Sequence, residues 1–317
     1  MLLKKGGWNE HVTALGTSGR GELAARPVGL TYAPGPMSSE APEIGFAGRE
    51  PRELAGGEVL LDFPADAVAR LTLNNPEKRN PLSHAVLDAI AATLPLLDHG
   101  IDVRCVLITG TGKAFSAGYD IGAIPNETFE RDAEALVAHP FTAAMDAISA
   151  HPFPVVAAIN GHCLGGGLEL AVRCDLRICA AEAKLGMPPA KLGLIYGHTG
   201  LERFIDCVGV PRTKELFLTG RVLDGERAER IGLVHEVHPA AEVADRALEL
   251  ASLIAANAPL SLRGNKQAIE TLSQFPRLSP KQVEELVALR ESCFSSEDFR
   301  EGIRAFAEKR PPEWKGR

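Results

Sequence analysis

The chain has 317 residues, of which 45% are hydrophobic and 24% charged, an ordinary composition for a large globular core. A net charge of −7 without a basic run argues against a nucleic-acid surface, and no apolar run reaches the roughly 18 residues of a transmembrane helix. Six scattered cysteines with no CxxC pair read as reduced core residues, and the first residues lack an apolar signal region, so a cytoplasmic protein with no metal site is expected.

Residues 1–56 are rich in Gly, Pro, Ser, Ala and Arg and hold no durable period, which predicts a flexible leader. From Glu58 the pattern tightens. Ala69, Leu71 and Leu73 alternate with polar residues, as in a strand. NNPEKRNPLS, with two prolines, then breaks regular structure. Ser83 is placed to cap a helix with Val86, Ile90, Leu94 and Leu97 on one stripe, bent or shortened at Pro95. Cys105–Thr109 reads as a buried strand ended by Gly110, Val155–Ile159 as a second, and Leu176, Ile178 and Ala180 as an alternating third. Helical segments fall between these strands, so the fold class is α/β. Beyond about Asp245 the pattern is helical: ADRALELASLIAANAP, LSLRGNKQAIETL, PKQVEELVALRESCF, and a last helix opened by Ser295 or Ser296 and stopped by Pro311-Pro312. The organisation predicted is a leader (1–56), a core (57–244) and a helical C-terminal portion (245–317).

Two glycine-bearing segments stand out. NGHCLGGGLELAVRCD spans residues 160–175, and in it Gly165, Gly166 and Gly167 run directly into a helix-forming stretch after the strand VVAAI. Such a run serves tight strand–helix packing, or it lets a ligand approach the unpaired N–H groups at the positive end of a helix. KAFSAGYDI, residues 113–121, also follows a strand and a glycine turn, and there Tyr119 offers a second backbone N–H. Two donors from two loops would stabilise an oxyanion.

These stretches, with NNPEKRNPLS, VLITGTGKAFSAGYDI, KELFLTGRVLDGERAERIGLVHEV and SEDFREGIRAFAEKR in the same order, closely resemble the crotonase superfamily, the enoyl-CoA hydratase/isomerase family, over roughly residues 58–317. The resemblance implies a spiral of ββα units with a helical C-terminal portion, and self-association as a trimer or a dimer of trimers. It implies an acyl-CoA thioester as substrate, with no cofactor beyond the CoA moiety. It places the peptide N–H groups of Tyr119 and Gly166 on the thioester oxygen and makes Glu169 one of two catalytic glutamates. Lys78 and Arg79 correspond to the segment beside the CoA phosphates, Ala117, Asp120 and Ile121 to the adenine and pantetheine neighbourhood, and Phe306 and Lys309 to the terminal helix that closes over CoA. Solvated surface charge is the alternative for each of the basic residues.

The chain departs from the hydratase pattern at one point. The second glutamate is expected in a stretch resembling GxPE, and here the stretch is Gly186-Met187-Pro188-Pro189. Proline neither gives nor takes a proton, so two-carboxylate hydration and isomerisation are both disfavoured. Downstream, Tyr196 matches a tyrosine of the family's methylmalonyl-CoA decarboxylase branch, although that branch often has histidine where this chain has Tyr119. Decarboxylation of a malonyl-type thioester needs an oxyanion hole and a single proton returned to carbon, and it is slightly preferred on sequence. Hydration or isomerisation through Glu169 alone is the alternative, with His198 or Glu202 as stand-ins for the missing carboxylate. A non-catalytic CoA-thioester binder and an RNA-associated relative are the readings from other classes. The intact Glu169 and both loops argue against the first, and the acidic balance against the second.

Overall fold

The computed structural model describes residues 49–98, 103–119, 140–273, 279–310 and 313. The predicted leader up to residue 48, Asp120, Ile121 and the Pro311-Pro312 stop lie outside the described residues.

A seven-stranded sheet runs in the order β1-β2-β3-β5-β8-β10-β13. Its first strands are β1 (Arg52–Leu54), β2 (Val59–Ala65) and β3 (Val68–Leu73), antiparallel to one another. Its others, β5 (Cys105–Gly110), β8 (Val155–Ile159), β10 (Leu176–Ala180) and β13 (Glu236–His238), continue parallel from β3. Every residue of VVAAI in β8 is buried, as a central parallel strand covered on both faces requires.

A second, four-stranded sheet has the order β12-β11-β9-β6. It is built from β6 (Ala114–Ser116), β9 (His162–Leu164), β11 (Leu185–Gly186) and β12 (Val222–Leu223). A short parallel pair joins β4 (Pro81–Leu82) to β7 (Gly118–Tyr119). The chain therefore repeats one motion. It leaves the large sheet, adds a short strand beside it and returns through a helix. β3 and β4 lead to α1 (His84–Asp98), β5 to β7 to α2 (Thr142–Ala150), β8 and β9 to α3 (Gly166–Arg173), and β10 and β11 to α4 (His198–Thr219). This is the expected spiral of ββα units. After α5 (Gly225–Arg230) come α6 (Val243–Ala255), α7 (Pro259–Ser273), α8 (Pro280–Phe294) and α9 (Glu297–Ala307).

The helix caps follow the sequence. Val86 N donates to Ser83 Oγ at 3.3 Å, and Phe299 N donates to Ser296 Oγ at 3.0 Å. Pro95 does not end α1, which runs on to Asp98. Two predicted boundaries move. Arg52–Leu54, placed in the leader because three residues carry no readable period, pairs along the edge of β2, with Leu54 against the core. Helix α6 starts at Val243, and its stripe of Val243, Ala247, Ala251, Ile254 and Ala255 covers the large sheet, so it belongs to the core rather than to the C-terminal portion. Among the described cysteines, Cys105, Cys163, Cys174 and Cys179 are free and buried. Burial pushes the thiols of Cys105, Cys174 and Cys179 up to about 12, which keeps them unreactive core residues. Among the described residues no helix is long and apolar enough to cross a membrane, and no cluster of His, Cys, Asp or Glu could hold a metal ion.

Asn80 is the polar tie between NNPEKRNPLS and the β5–β7 segment. It is 1% exposed and takes a left-handed φ of 53°, which asparagine tolerates. Its Nδ2 donates to Thr111 O at 2.9 Å and Ala114 O at 2.8 Å, and its Oδ1 accepts from Asn75 N at 2.8 Å. Its own carbonyl accepts from Ser116 Oγ at 2.8 Å, and that oxygen in turn accepts from Gly118 N at 3.1 Å. Replacing Asn80 with Ala strands several buried partners and is expected to lower unfolding free energy by about 3 kcal/mol. A urea unfolding midpoint measures it, and a loss within experimental error would remove Asn80 from this role.

Candidate active site

The three glycines of the 160–175 segment each meet a different demand. Gly165 caps α3 at φ 53° and ψ −125°, a conformation closed to other residues, and the space where its Cβ would stand is open. A Cβ on Gly166 would stand 3.3 Å from the Tyr119 ring, and one on Gly167 would lie 2.7 Å from the Ser116 carbonyl. The packing reading of the run holds for Gly166 and Gly167, while Gly165 leaves open space at the head of the helix. As the first residue of α3, Gly166 carries an N–H that no helical carbonyl reaches.

The second loop meets the first here. Gly118 has φ 91°, and a Cβ on it would stand 2.8 Å from Leu164 O and 3.0 Å from Gly166 N. Tyr119 follows at once, parallel to Leu82 in the β4–β7 pair. The two backbone segments singled out in the sequence are thus in contact.

Glu169 projects from the first turn of α3 and is 3% exposed. Tyr196 Oη donates to its Oε2 at 2.5 Å, and Arg173 Nη2 donates to its Oε1 at 3.4 Å. The first turn of α4 abuts the same carboxylate: a Cβ on Gly200 would stand 2.9 Å from both oxygens. Burial pushes the Glu169 carboxyl above its ordinary range, while the Tyr196 hydroxyl and the Arg173 guanidinium pull the other way. Tyr196 is driven well above the usual phenol range, first by burial and then by the Glu169 charge, and its hydroxyl also bonds that of Tyr119. Edge-on rings hold both phenols: Phe141 lies 4.7 Å from Tyr119, and Phe217 5.3 Å from Tyr196.

These groups line one cavity of about 40 Å³. Apolar walls come from Phe141 and Met145 beside α2, Leu194 and Ile195 before α4, and Phe294 at the end of α8. Among the described lining residues Glu169 is the only carboxylate. Pro189 is buried and opens a 3₁₀ turn, Pro189–Leu192, but it is not part of this wall, and neither is His198 or Glu202.

Arg173 was missed in the sequence, although its signal was present: it follows Glu169 by four residues and so shares its helix face. Phe141, Met145 and Phe294 had no such signal, because their place in the wall comes from chain packing alone.

The residues matched to CoA are partly assembled. Lys78 and Arg79 are exposed, and Ala117 N donates to Arg79 O at 2.9 Å, which sets Ala117 beside them. A surface cavity of about 620 Å³ next to this loop is lined by Arg79, Lys113 and His162 among others, but not by Phe306 or Lys309. Phe306 is 75% exposed and Lys309 also faces solvent. Gly302 lies so close to Leu192 that a Cβ on it would stand 2.4 Å from the Leu192 carbonyl, which packs α9 on the 3₁₀ turn.

The family model described as enoyl-CoA hydratase/isomerase matches residues 64–317. The chain is 37% identical over 262 residues to YngF of Bacillus subtilis, which bears this family's name, covering 82% of this chain and 99% of YngF. It is 34% identical over 254 residues to the 2,3-dehydroadipyl-CoA hydratase of Escherichia coli, covering 79% and 96%. Among solved structures, methylmalonyl-CoA decarboxylase bound to 2-nitronate-propionyl-CoA superposes with a TM-score of 0.75 at 28% identity, covering 82% of this chain and 99% of that one. An enoyl-CoA hydratase from Bacillus anthracis gives 0.64 at 34% identity, covering 82% and 100%. With the ββα spiral and two touching glycine loops beside a buried glutamate, these matches make the chain a member of the enoyl-CoA hydratase/isomerase family, the crotonase superfamily, and an acyl-CoA enzyme of that family.

Proposed function

We propose that the protein hydrates the double bond of an enoyl-CoA thioester with Glu169 as its single proton carrier. The observation that carries this reading is the hydrogen bonding of that carboxylate. Both oxygens accept hydrogen bonds, Oε2 from Tyr196 and Oε1 from Arg173, which is the arrangement of an ionised base. The peptide N–H groups of Tyr119 and Gly166 receive the thioester oxygen. Glu169 takes a proton from water, the hydroxyl adds to the β-carbon, and the electron pair of the double bond moves toward the thioester oxygen. The resulting enolate is stabilised by the two N–H groups. It then recovers the proton from Glu169 at the α-carbon, so one water is added and the carboxylate is restored. Pro189 supplies no second carboxylate, and none is needed if one group both takes and returns the proton.

The CoA moiety rests, on this reading, along Lys78, Arg79 and Ala117, with Asp120 and Ile121 following the oxyanion loop and Phe306 and Lys309 closing from the C-terminal helix. Self-association as a trimer or a dimer of trimers fits the large apolar side chains left in solvent, Leu253 at 67%, Leu260 at 85% and Ile269 at 65% exposure.

Decarboxylation of a malonyl-type CoA is the second reading. It is favoured by the single carboxylate in the cavity and by the 0.75 TM-score to methylmalonyl-CoA decarboxylase. There the breaking C–C bond leaves its electrons in the enolate as CO₂ departs, and one proton is returned to carbon. Tyr196 would have to release Glu169 to orient the substrate carboxylate, and that carboxylate would sit beside an ionised glutamate. Those two costs place hydration ahead.

Offered separately, crotonyl-CoA is expected to lose its enoyl absorbance, while methylmalonyl-CoA and ethylmalonyl-CoA release no CO₂. Rapid CO₂ release with crotonyl-CoA untouched would reverse the order of the two readings. Gly118→Ala forces the two loops apart and is expected to lower kcat/KM on the accepted thioester by about 10²-fold, the scale of a misplacement near 1 Å. An unchanged kcat/KM would show that the approach of the two loops is not needed. Light scattering at micromolar concentration is expected to show a trimer or hexamer, and a lone 33.8 kDa species would dismiss self-association.

A further inference from the structure

We propose that Arg173 is a positioning residue for this reaction: it holds the Glu169 carboxylate ionised and aimed into the cavity, so that one glutamate serves where two would otherwise be needed. The inference rests on the proposed role of Glu169 as proton carrier. The geometry is local. Arg173 lies one turn after Glu169 on α3, and the two side chains are 8% and 4% exposed. Its Nη2 donates both to Glu169 Oε1 at 3.4 Å and to Thr199 O at 3.3 Å. One guanidinium nitrogen therefore ties the carboxylate to the first turn of α4, the turn entered from Tyr196.

The Nε donor argues against a purely structural arginine. Among the described residues Arg173 Nε is buried and has no hydrogen-bond partner. A buried guanidinium kept for stability fills its donors, because each unfilled one costs free energy. This one leaves a donor empty and keeps its charge beside a carboxylate that already accepts a bond from Tyr196. Two carboxylates in one cavity would repel and push one of them to hold a proton. A carboxylate and a guanidinium do the reverse.

Other groups set the same balance. Tyr196 faces Glu169 from the segment before α4, and Tyr119 acts through Tyr196 from β7. Behind Arg173 a second cavity of about 520 Å³ is lined by Asp146, His151, Arg203, Arg263, Lys266 and Glu270 from the neighbouring helices. Within it Lys266 pairs with Asp175 at 2.7 Å and Arg203 with Glu270 at 3.4 Å, so two of these cations have carboxylate partners of their own.

The sign follows. Burial raises the proton affinity of Glu169 and Arg173 opposes it. Without the guanidinium, burial is less opposed, the carboxylate protonates at higher pH, and the base form is lost sooner on acidification. The test uses the full chain as Arg173→Met and Arg173→Lys, with Arg173→Gln standing in if the methionine variant does not fold. Two readouts are taken. One is the pH profile of kcat with crotonyl-CoA. The other is an infrared titration of the carboxylate band without substrate, assigned by difference against Glu169→Gln. Arg173→Met is expected to move both midpoints to higher pH by about one unit, and Arg173→Lys to restore most of the shift. A fall in kcat with both midpoints unmoved would overturn the proposal and leave Arg173 a packing residue. An infrared midpoint that moves while the wild type leaves crotonyl-CoA unchanged would support the role of Arg173 and reject hydration instead.

Discussion

The approach of Gly118 to Leu164 and Gly166 is the constraint on which the rest of the site depends. A methyl group at Gly118 would stand 2.8 Å from the Leu164 carbonyl and 3.0 Å from the Gly166 nitrogen, so a side chain there drives the loops apart. Each loop is held from behind. Asn80 fixes the β6–β7 strip through the carbonyls of Thr111 and Ala114, and the three-strand parallel contact of β6, β9 and β11 fixes the other. Helix α3 is seated by Gly167, which is pressed on Ser116. Glu169 then falls on the first turn, facing Tyr196. The location of the Glu169 carboxylate is thus a consequence of backbone packing between the two loops.

That placement is costly, and the surroundings offset part of the cost. A carboxylate 3% exposed loses its hydration. It is compensated by a short bond from Tyr196, a longer one from Arg173 and the positive ends of α3 and α4. The compensation is incomplete: burial still dominates the direction in which Glu169 is pushed, and Arg173 keeps an unfilled donor.

The C-terminal helices complete the wall from outside the spiral. Phe294 reaches the cavity from the end of α8, and its ring meets Phe299 of α9 at 5.1 Å. Helix α9 is locked on the Pro189–Leu192 turn by the bare backbone of Gly302. The turn begins at Pro189, and it leads directly to Leu194, Ile195 and Tyr196 in the cavity wall. The turn therefore shapes the site without supplying a side chain to it, by directing the chain that presents Tyr196.

Local order was legible in the residues themselves. The apolar runs of β5 and β8, the stripe of α1, and the serine caps of α1 and α9 are set by side-chain period and short-range hydrogen bonding, which the chain carries without its fold. Gly166 and Glu169, three residues apart, and the glycines before Tyr119 were readable for the same reason, and so was a proline rather than a carboxylate at position 189. Tertiary structure alone decided the rest. Leu54 and Val243 joined the core because a sheet edge and a sheet face were there to receive them, a partner that no three-residue window contains. Tyr196 lies 27 residues from Glu169 and Tyr119 lies 50 before it, and only the folded chain brings the Tyr196 hydroxyl to that carboxylate and the Tyr119 hydroxyl to Tyr196. Whether Arg173 was a surface charge or a buried partner of Glu169 turned on what covered that face of α3, and the covering element is the first turn of α4.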